Sequence, residues 1–274
     1  MFPNSTMSDS TIEKLRRLSE RLAEQLLRYI VPIFRDDGGG KQESHGTGFL
    51  ISNMGGSFLI SAAHVFDPVR SGTNLFFYTG HKRVLRLSGS ICLTTPPEGT
   101  SRDADRFDIG VLRLEEAVSP PYPEVNKQAL PINALMPTAL PREKKHYLLI
   151  GFPGSKTQLH RARRNFESAP YGNWSTSAPK AAYGRVGCSD QTHIVMRFNR
   201  KKVVGQGLTT RAFPNPAGMS GSPVWLLYDE VRTNDPTQTP LVGVFIEYHS
   251  SHHLLVATDI SVALDMINRA EAKP

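Results

Sequence analysis

Gly218-Met219-Ser220-Gly221-Ser222-Pro223-Val224-Trp225 is the stretch whose reading decides the fold. Glycines at 218 and 221 bracket one hydroxyl, and glycine reaches backbone angles closed to other residues. From Pro223 the stretch becomes an apolar run over 223–227, of the length expected for a buried strand. A Gly/Ser-rich segment also fits an ordinary turn, so its meaning depends on what else the chain carries. A serine hydroxyl is a weak nucleophile near neutral pH and needs a base beside it.

Two further segments supply what that serine needs. Ser61-Ala62-Ala63-His64-Val65 closes an apolar run with an imidazole, whose unperturbed pKa near neutrality suits a general base. Asp108-Ile109-Gly110-Val111-Leu112-Arg113-Leu114 opens another run with a carboxylate, which can fix the imidazole tautomer and stabilise the imidazolium. The N–H groups of Gly218 and Ser220 are the candidate donors to a tetrahedral oxyanion, each worth roughly 2.7–4 kcal/mol. Each segment alone has a plain structural reading; the order His, Asp, Ser along one chain separates this set from other hydrolase folds. Rival acids Asp103 and Asp105 stand in a charged loop with Arg102 and Arg106 and read as solvated. Ser222 lacks a glycine two positions before it.

Outward from these segments the pattern is all-β. Short apolar runs at 31–34, 48–52, 57–62, 74–78, 84–87 and 109–114 are separated by turn residues, and Asn53-Met54-Gly55-Gly56 reads as a hairpin. A second set is expected at 147–152, 181–186, 193–198, 223–227, 241–246 and 254–258, with a proline-rich connector at 120–131 and a polar surface excursion at 155–179. His64 and Asp108 fall in the first set and Ser220 in the second, which puts the site between the two. Residues 10–29 read as an amphipathic helix: a Ser10/Glu13 capping box, then Ile12, Leu15, Leu18, Leu22, Leu26 and Tyr29 at steps of three and four. Asp259 is placed to cap a last helix at 260–270.

The 274 residues hold 39% hydrophobic residues, 20 prolines and 22 glycines, with mean hydropathy −0.30: enough for a sizeable core rich in turns. The net charge of +7 is scattered, so specific nucleic-acid binding is not expected. Cys92 and Cys188 cannot make a zinc site alone, no metal-ligand spacing is present, and no cofactor is implied. The polar start of the chain shows no secretory pattern, and no apolar stretch reaches the length of a membrane span.

The three segments resemble the trypsin-like (chymotrypsin-fold) serine peptidases, with Gly46-Thr47-Gly48-Phe49-Leu50-Ile51 matching the opening of their first barrel. The resemblance is closest to the bacterial branch of high-temperature-requirement proteases, without a regulatory peptide-binding module after Ser220. It implies two six-stranded antiparallel β-barrels with the active site between them, flanked by the two helices. Residues 1–30 would be a helical extension, 31–125 the first barrel and 126–274 the second with the C-terminal helix. It implies a serine endopeptidase with His64, Asp108 and Ser220 as its triad and protein or peptide as substrate. A catalytically silent binding module of the same fold is the alternative. The scarcity of cysteine points to a reducing, cytoplasmic setting.

Two departures from the family matter. Where activated animal relatives carry an aspartate before the nucleophile, this chain has Met219, so activation by a freed N-terminal amine is not implied. The primary pocket carries over to Pro214, Asn215 and Ala217 before the nucleophile and to Phe245, Ile246, Glu247 and Tyr248 on a later strand. Neither Pro214 nor Asn215 is acidic, so a buried substrate cation would go unpaired. Small or medium uncharged side chains are expected there, with Glu247 as the acid that a one-residue slip in register would introduce. His249, His252 and His253 lie beyond that strand as candidates to line the cleft. The helix at 10–29 reads as packing its apolar stripe on the rest of the fold, with contact to a regulatory protein partner or a membrane surface as the alternative.

Overall fold

In the computed structural model of the chain, the hairpin at Asn53-Met54-Gly55-Gly56 forms as read, with Asn53 paired to Gly56 and Met54 fully exposed at its tip. The structure describes residues 9–36, 42–78, 84–115, 127–138, 141–160, 165–204, 212–227 and 238–271. The apolar stripe at its start forms α1 (Asp9–Leu26), extended by a 3-10 turn over Leu27–Tyr29. Leu15, Leu22, Leu26 and Tyr29 are buried in the main core, and Leu18 packs against it. The side chains of Ser10 and Ile12, and with them the capping box, lie outside the described residues.

The first sheet is built from β1 (Ile30–Asp36), β2 (Gln42–Asn53), β3 (Gly56–Ala62), β4 (Asn74–Tyr78), β5 (Val84–Arg86), β6 (Gly89–Leu93) and β7 (Ile109–Leu114), with β8 (Leu130–Pro131) parallel beside β2. Its order is β5-β4-β1-β2-β3-β7-β6. The edges β5 and β6 are consecutive along the chain through Leu87 and Ser88, but among the described residues no ladder joins them. Among the described residues this half is therefore an open, half-barrel sheet, and a second closed barrel is not seen. Between β3 and β4 the chain forms α2 (Ala63–Arg70), a helix absent from the sequence reading because Pro68 sits inside it.

The second sheet does close. It comprises β9 (His146–Gly151), β12 (Tyr171–Ser177), β13 (His193–Arg197), β14 (Val203–Val204), β15 (Pro223–Leu227), β16 (Leu241–His249) and β17 (Leu254–Asp259), in the order β13-β17-β16-β15-β9-β12-β14. The rungs Thr176↔Arg197 and Ser177↔Met196 join β12 back to β13, completing a six-stranded barrel. Two expectations fail here. Residues 181–186 are not a strand: Lys180–Arg185 form the short helix α3, opened by Pro179 and rich in alanine. The excursion at 155–179 contains the hairpin of β10 (Thr157–His160) and β11 (Asn165–Ser168), then the barrel strand β12.

The helices cross between the sheets. α1 precedes the first sheet but packs on β12 and β14 of the second, whereas α4 (Ile260–Glu271) follows the second and packs on β7 of the first and on β16. Asp259 caps α4 as read, accepting from Ser261 N at 3.0 Å, and its other oxygen pairs with buried Arg142 at 2.8 Å. These crossed helices fix the sheets on either side of the seam where the three motif segments meet.

Candidate active site

His64 is the second residue of α2, and Asp108 immediately precedes β7. β3 and β7 are hydrogen-bonded neighbours, so the strand end that launches His64 lies beside the residue that follows Asp108, with Ala62 opposite Ile109. Three bonds lock the pair: Ala63 N donates to Asp108 O (2.9 Å), His64 N to Asp108 Oδ1 (2.9 Å), and His64 Nδ1 meets Asp108 Oδ2 at 2.6 Å. With Nδ1 facing a carboxylate that only accepts, the proton sits on Nδ1 and Nε2 carries the lone pair. Asp108 takes φ 47°, a left-handed conformation uncommon outside glycine, so the surrounding structure holds it there.

The imidazole is 38% exposed and the Asp108 carboxylate 13%. Burial disfavours the imidazolium, but the hydrogen bond and charge of Asp108, reinforced by Asp67, outweigh it and raise the pKa of His64. His45 on β2 behaves oppositely: burial first, then the charges of Arg35 and His64, lower its pKa.

The segment of the candidate nucleophile is held largely by its backbone. Thr47 on β2 donates its N–H to Ser220 O (2.9 Å) and its hydroxyl to Gly218 O (3.1 Å). Gly221 N donates to Phe245 O at 2.7 Å. A Cβ on Gly221, which has φ 88°, would overlap Ser61 Oγ and Thr47 O and lie 2.9 Å from Ala62 N. The residue after Ser220 therefore touches the strand end two residues before His64, and the structure brings all three motif segments together. Among the described residues the one hydrogen bond of the imidazole is to Asp108, and none joins it to the Ser220 hydroxyl, as is common in unliganded sites.

Carbonyl and N–H point in opposite directions across a planar trans peptide. Ala217 O faces inward to Gly154 N (2.8 Å), and Met219 O to Ser222 N (2.9 Å) and Ser222 Oγ (2.6 Å). The N–H groups of Gly218 and Ser220, across those same peptides, point the other way, and no acceptor among the described residues takes either one. Gly218 holds φ 86°, and a Cβ there would lie 2.6 Å from Gly154 N. Ser222 is fully buried with its hydroxyl engaged, and Met219 is fully buried in the second core.

The residues read as a substrate pocket separate into two groups. Pro214 is half-buried, Asn215 and Ala217 are exposed, Ile246 is nearly buried, Glu247 is exposed and Tyr248 is half-buried, packing edge-on against Phe198 at 5.0 Å. Phe245 is set apart: its ring is 2% exposed, inside the core with Phe213, and only its backbone reaches the nucleophile turn. Glu247 approaches His249 Nε2 at 2.9 Å without the alignment of a hydrogen bond. His252 and His253 are exposed on the turn after β16. Asp105 is a correction: its carboxylate is 1% exposed, accepting from Thr94 Oγ1 and Arg102. Sequence reasoning missed the roles of Thr47 and Asp67; a threonine between two glycines just before the histidine strand was the signal for the first.

The trypsin-like peptidase domain family matches residues 46–231, more than half of the chain and inclusive of all three segments. The chain belongs to that family. Solved structures of similar fold include neuropsin, a serine protease of mouse brain, at 12% identity and TM-score 0.54, covering 89% of this peptidase-family chain and 94% of that one. A Glu endopeptidase aligns at 15% identity and TM-score 0.50, covering 90% and 91%. An inactivated protease paralogue of the scabies mite aligns at 13% identity and TM-score 0.55, covering 92% and 95%. No curated protein matches. At these identities the likeness is one of fold, and a fold shared with an inactivated paralogue leaves activity to the site itself.

Proposed function

We propose that the chain is a serine endopeptidase working through an acyl-enzyme. His64 Nε2 takes the proton of Ser220 as Oγ attacks the carbonyl carbon, and Asp108 stabilises the imidazolium through Nδ1–H. The N–H groups of Gly218 and Ser220 receive the oxyanion. The proton passes from His64 to the leaving amine, and water activated by the same imidazole then releases the acyl group from Ser220. The observation that supports this reading is the Nδ1 bond to Asp108, which leaves Nε2 with the lone pair, together with the two unclaimed N–H groups of the Ser220 turn, which Gly221 packs against the strand end before His64. In this reading residues 1–30 extend the fold, 31–125 bring His64 and Asp108, and 126–274 bring Ser220.

The substrate is a protein or peptide, with a small or medium uncharged residue before the cut bond. Pro214 and Asn215 offer no carboxylate, and that of Glu247 approaches His249. A peptide library is expected to show this preference; dominant cleavage after lysine or arginine would refute it. A regulatory partner would meet the charged face of α1, because its apolar stripe is buried within the domain. Cys92 and Cys188 are free thiols, in keeping with a cytoplasmic setting and with the high-temperature-requirement branch. No helix among the described residues is long and apolar enough to cross a membrane.

The second reading, a silent binding module, draws on the missing Ser220–His64 bond and on the fold shared with an inactivated paralogue. Steady-state cleavage of an unfolded protein decides between them. Turnover lost in Ser220→Ala supports the peptidase; binding without turnover by the native protein supports the module.

A further inference from the structure

Asp67 lies three residues after His64 on α2, one helical turn along the same face. Across from it is Arg102, which donates Nε to Asp67 Oδ2 at 3.0 Å and Nη2 to Asp67 Oδ1 at 2.9 Å, a two-pronged pair. Its remaining nitrogen, Nη1, donates to Asp105 Oδ2 at 2.9 Å and to Thr94 O at 2.7 Å. Asp105 in turn accepts from Thr94 Oγ1 at 2.6 Å and from Phe107 N at 3.1 Å, and Thr94 Oγ1 accepts from Ile109 N at 2.8 Å. The chain of bonds runs from the helix of His64 to the residues on both sides of Asp108. Asp108 itself takes an unfavoured φ of 47°, which something around it must impose.

We propose that Arg102 is a positioning residue, clamping the helix of His64 to the loop of Asp108 so that imidazole and carboxylate meet in register. The inference rests on the peptidase reading of that pair. Arg102 touches none of the three triad residues in the hydrogen bonds described. It acts through Asp67 on one side and through Asp105 and Thr94 on the other. A lysine would keep the charge but not the fork, because one ammonium cannot span both carboxylates in this geometry.

The charged and titratable groups facing His64 are Asp108, Asp67, Arg102 and His45. Charge and position therefore predict different things. Asp67 favours the imidazolium and Arg102 opposes it. A purely electrostatic role would move the acid limb of the pH profile up in Arg102→Met and down in Asp67→Asn, with the plateau rate untouched. A positioning role lowers the plateau in both, because the pair is misplaced whatever its protonation. An ångström of misplacement costs about 100-fold.

The experiment is the rate of fluorophosphonate labelling from pH 5 to 9 for the native protein, Arg102→Met, Arg102→Lys and Asp67→Asn, with thermal unfolding confirming that each is folded. The expected result is a plateau lowered about 10- to 100-fold in Arg102→Met and Asp67→Asn, partly restored in Arg102→Lys. Unchanged plateaus with only shifted limbs overturn the inference and leave the peptidase reading standing. The low-field NMR proton on His64 Nδ1 gives a readout free of activity. Its loss in Arg102→Met supports the clamp even where the native protein does not label, an outcome that sinks the peptidase reading alone. Its persistence unchanged in both variants overturns the clamp.

Discussion

The first sheet holds its candidate catalytic groups mainly by side-chain bonds, whereas the second holds its candidate nucleophile mainly by main-chain bonds. His64 and Asp108 depend on carboxylate oxygens: Oδ1 on the His64 N–H, Oδ2 on the ring, and behind them the Arg102 network. Ser220 depends on carbonyls and N–H groups of Ala217, Met219, Gly221 and Phe245, with Thr47 reaching across. The difference has a physical reason. In the proposed reaction the base must change charge, so its neighbours must respond to charge; the turn of the candidate nucleophile must only stay still and present two N–H donors. The open sheet should therefore be sensitive to single polar substitutions and to pH, and the closed barrel to added volume at its glycines.

The largest break in that comparison removes the atom on which both halves converge. Ser220→Ala should abolish peptide cleavage, with a loss of about 10⁶-fold, and adding His64→Ala should cost almost nothing more. Measured kcat values for the single and double variants check this; losses that multiply would mean the two halves act independently. Next comes the charge half. Asp108→Asn keeps the shape but loses about 10⁴-fold in kcat. Because Asp108 raises the pKa of His64, the native acid limb should have its midpoint above about 6.5, the ordinary imidazole value, and the variant's should lie lower. The linkage to stability has the same sign: with the folded pKa raised, the stabilisation is present at acid pH and is lost as pH rises through the folded value.

The backbone half should answer to volume. In Gly218→Ala the new methyl meets Gly154 N and Cα, 2.6 and 3.0 Å away, at a φ of 86° that alanine avoids. Losing the alignment of one oxyanion donor should lower kcat by about 10²- to 10³-fold, with the acid limb unmoved because no charge has changed. A shifted limb would show that the halves are not separable in this way. The smallest effect on chemistry is expected far from the seam. Leu22→Ala, in the buried stripe of α1, should cost about 2–5 kcal/mol of stability by chemical denaturation and leave kcat as it was. A rise in kcat instead would mark α1 as an inhibitor held against the site.

How much of this was legible beforehand follows the same division. The half built on side chains declared itself, since a histidine after an apolar strand and an aspartate before one are visible residue by residue. What failed was the part carried by buried polar groups and by closure. β12 reads as Tyr-Gly-Asn-Trp-Ser-Thr-Ser, too polar for a core strand, yet Asn173 and Ser175 are fully buried. Asn173 Nδ2 donates to Asn199 O and Lys202 O, and Ser175 Oγ donates to Asn173 Oδ1. Satisfied polar groups cost little to bury, and hydrophobic patterning cannot see them. Asp105 looked solvated for the same reason: its partners Thr94 and Arg102 are ordinary surface residue types. Closure was expected of both sheets only through the family resemblance: the long-range pairing of β12 with β13 that closes the second has no local signature, and among the described residues the first does not close.

The central claim is that a serine from the closed barrel is made nucleophilic by a base from the open sheet. Its most direct test is reaction of the native protein with a fluorophosphonate, followed by mass mapping of the adduct. The account predicts one adduct per chain, on Ser220, forming faster as pH rises through the titration of His64. No adduct at any pH, or an adduct on another serine, would contradict it.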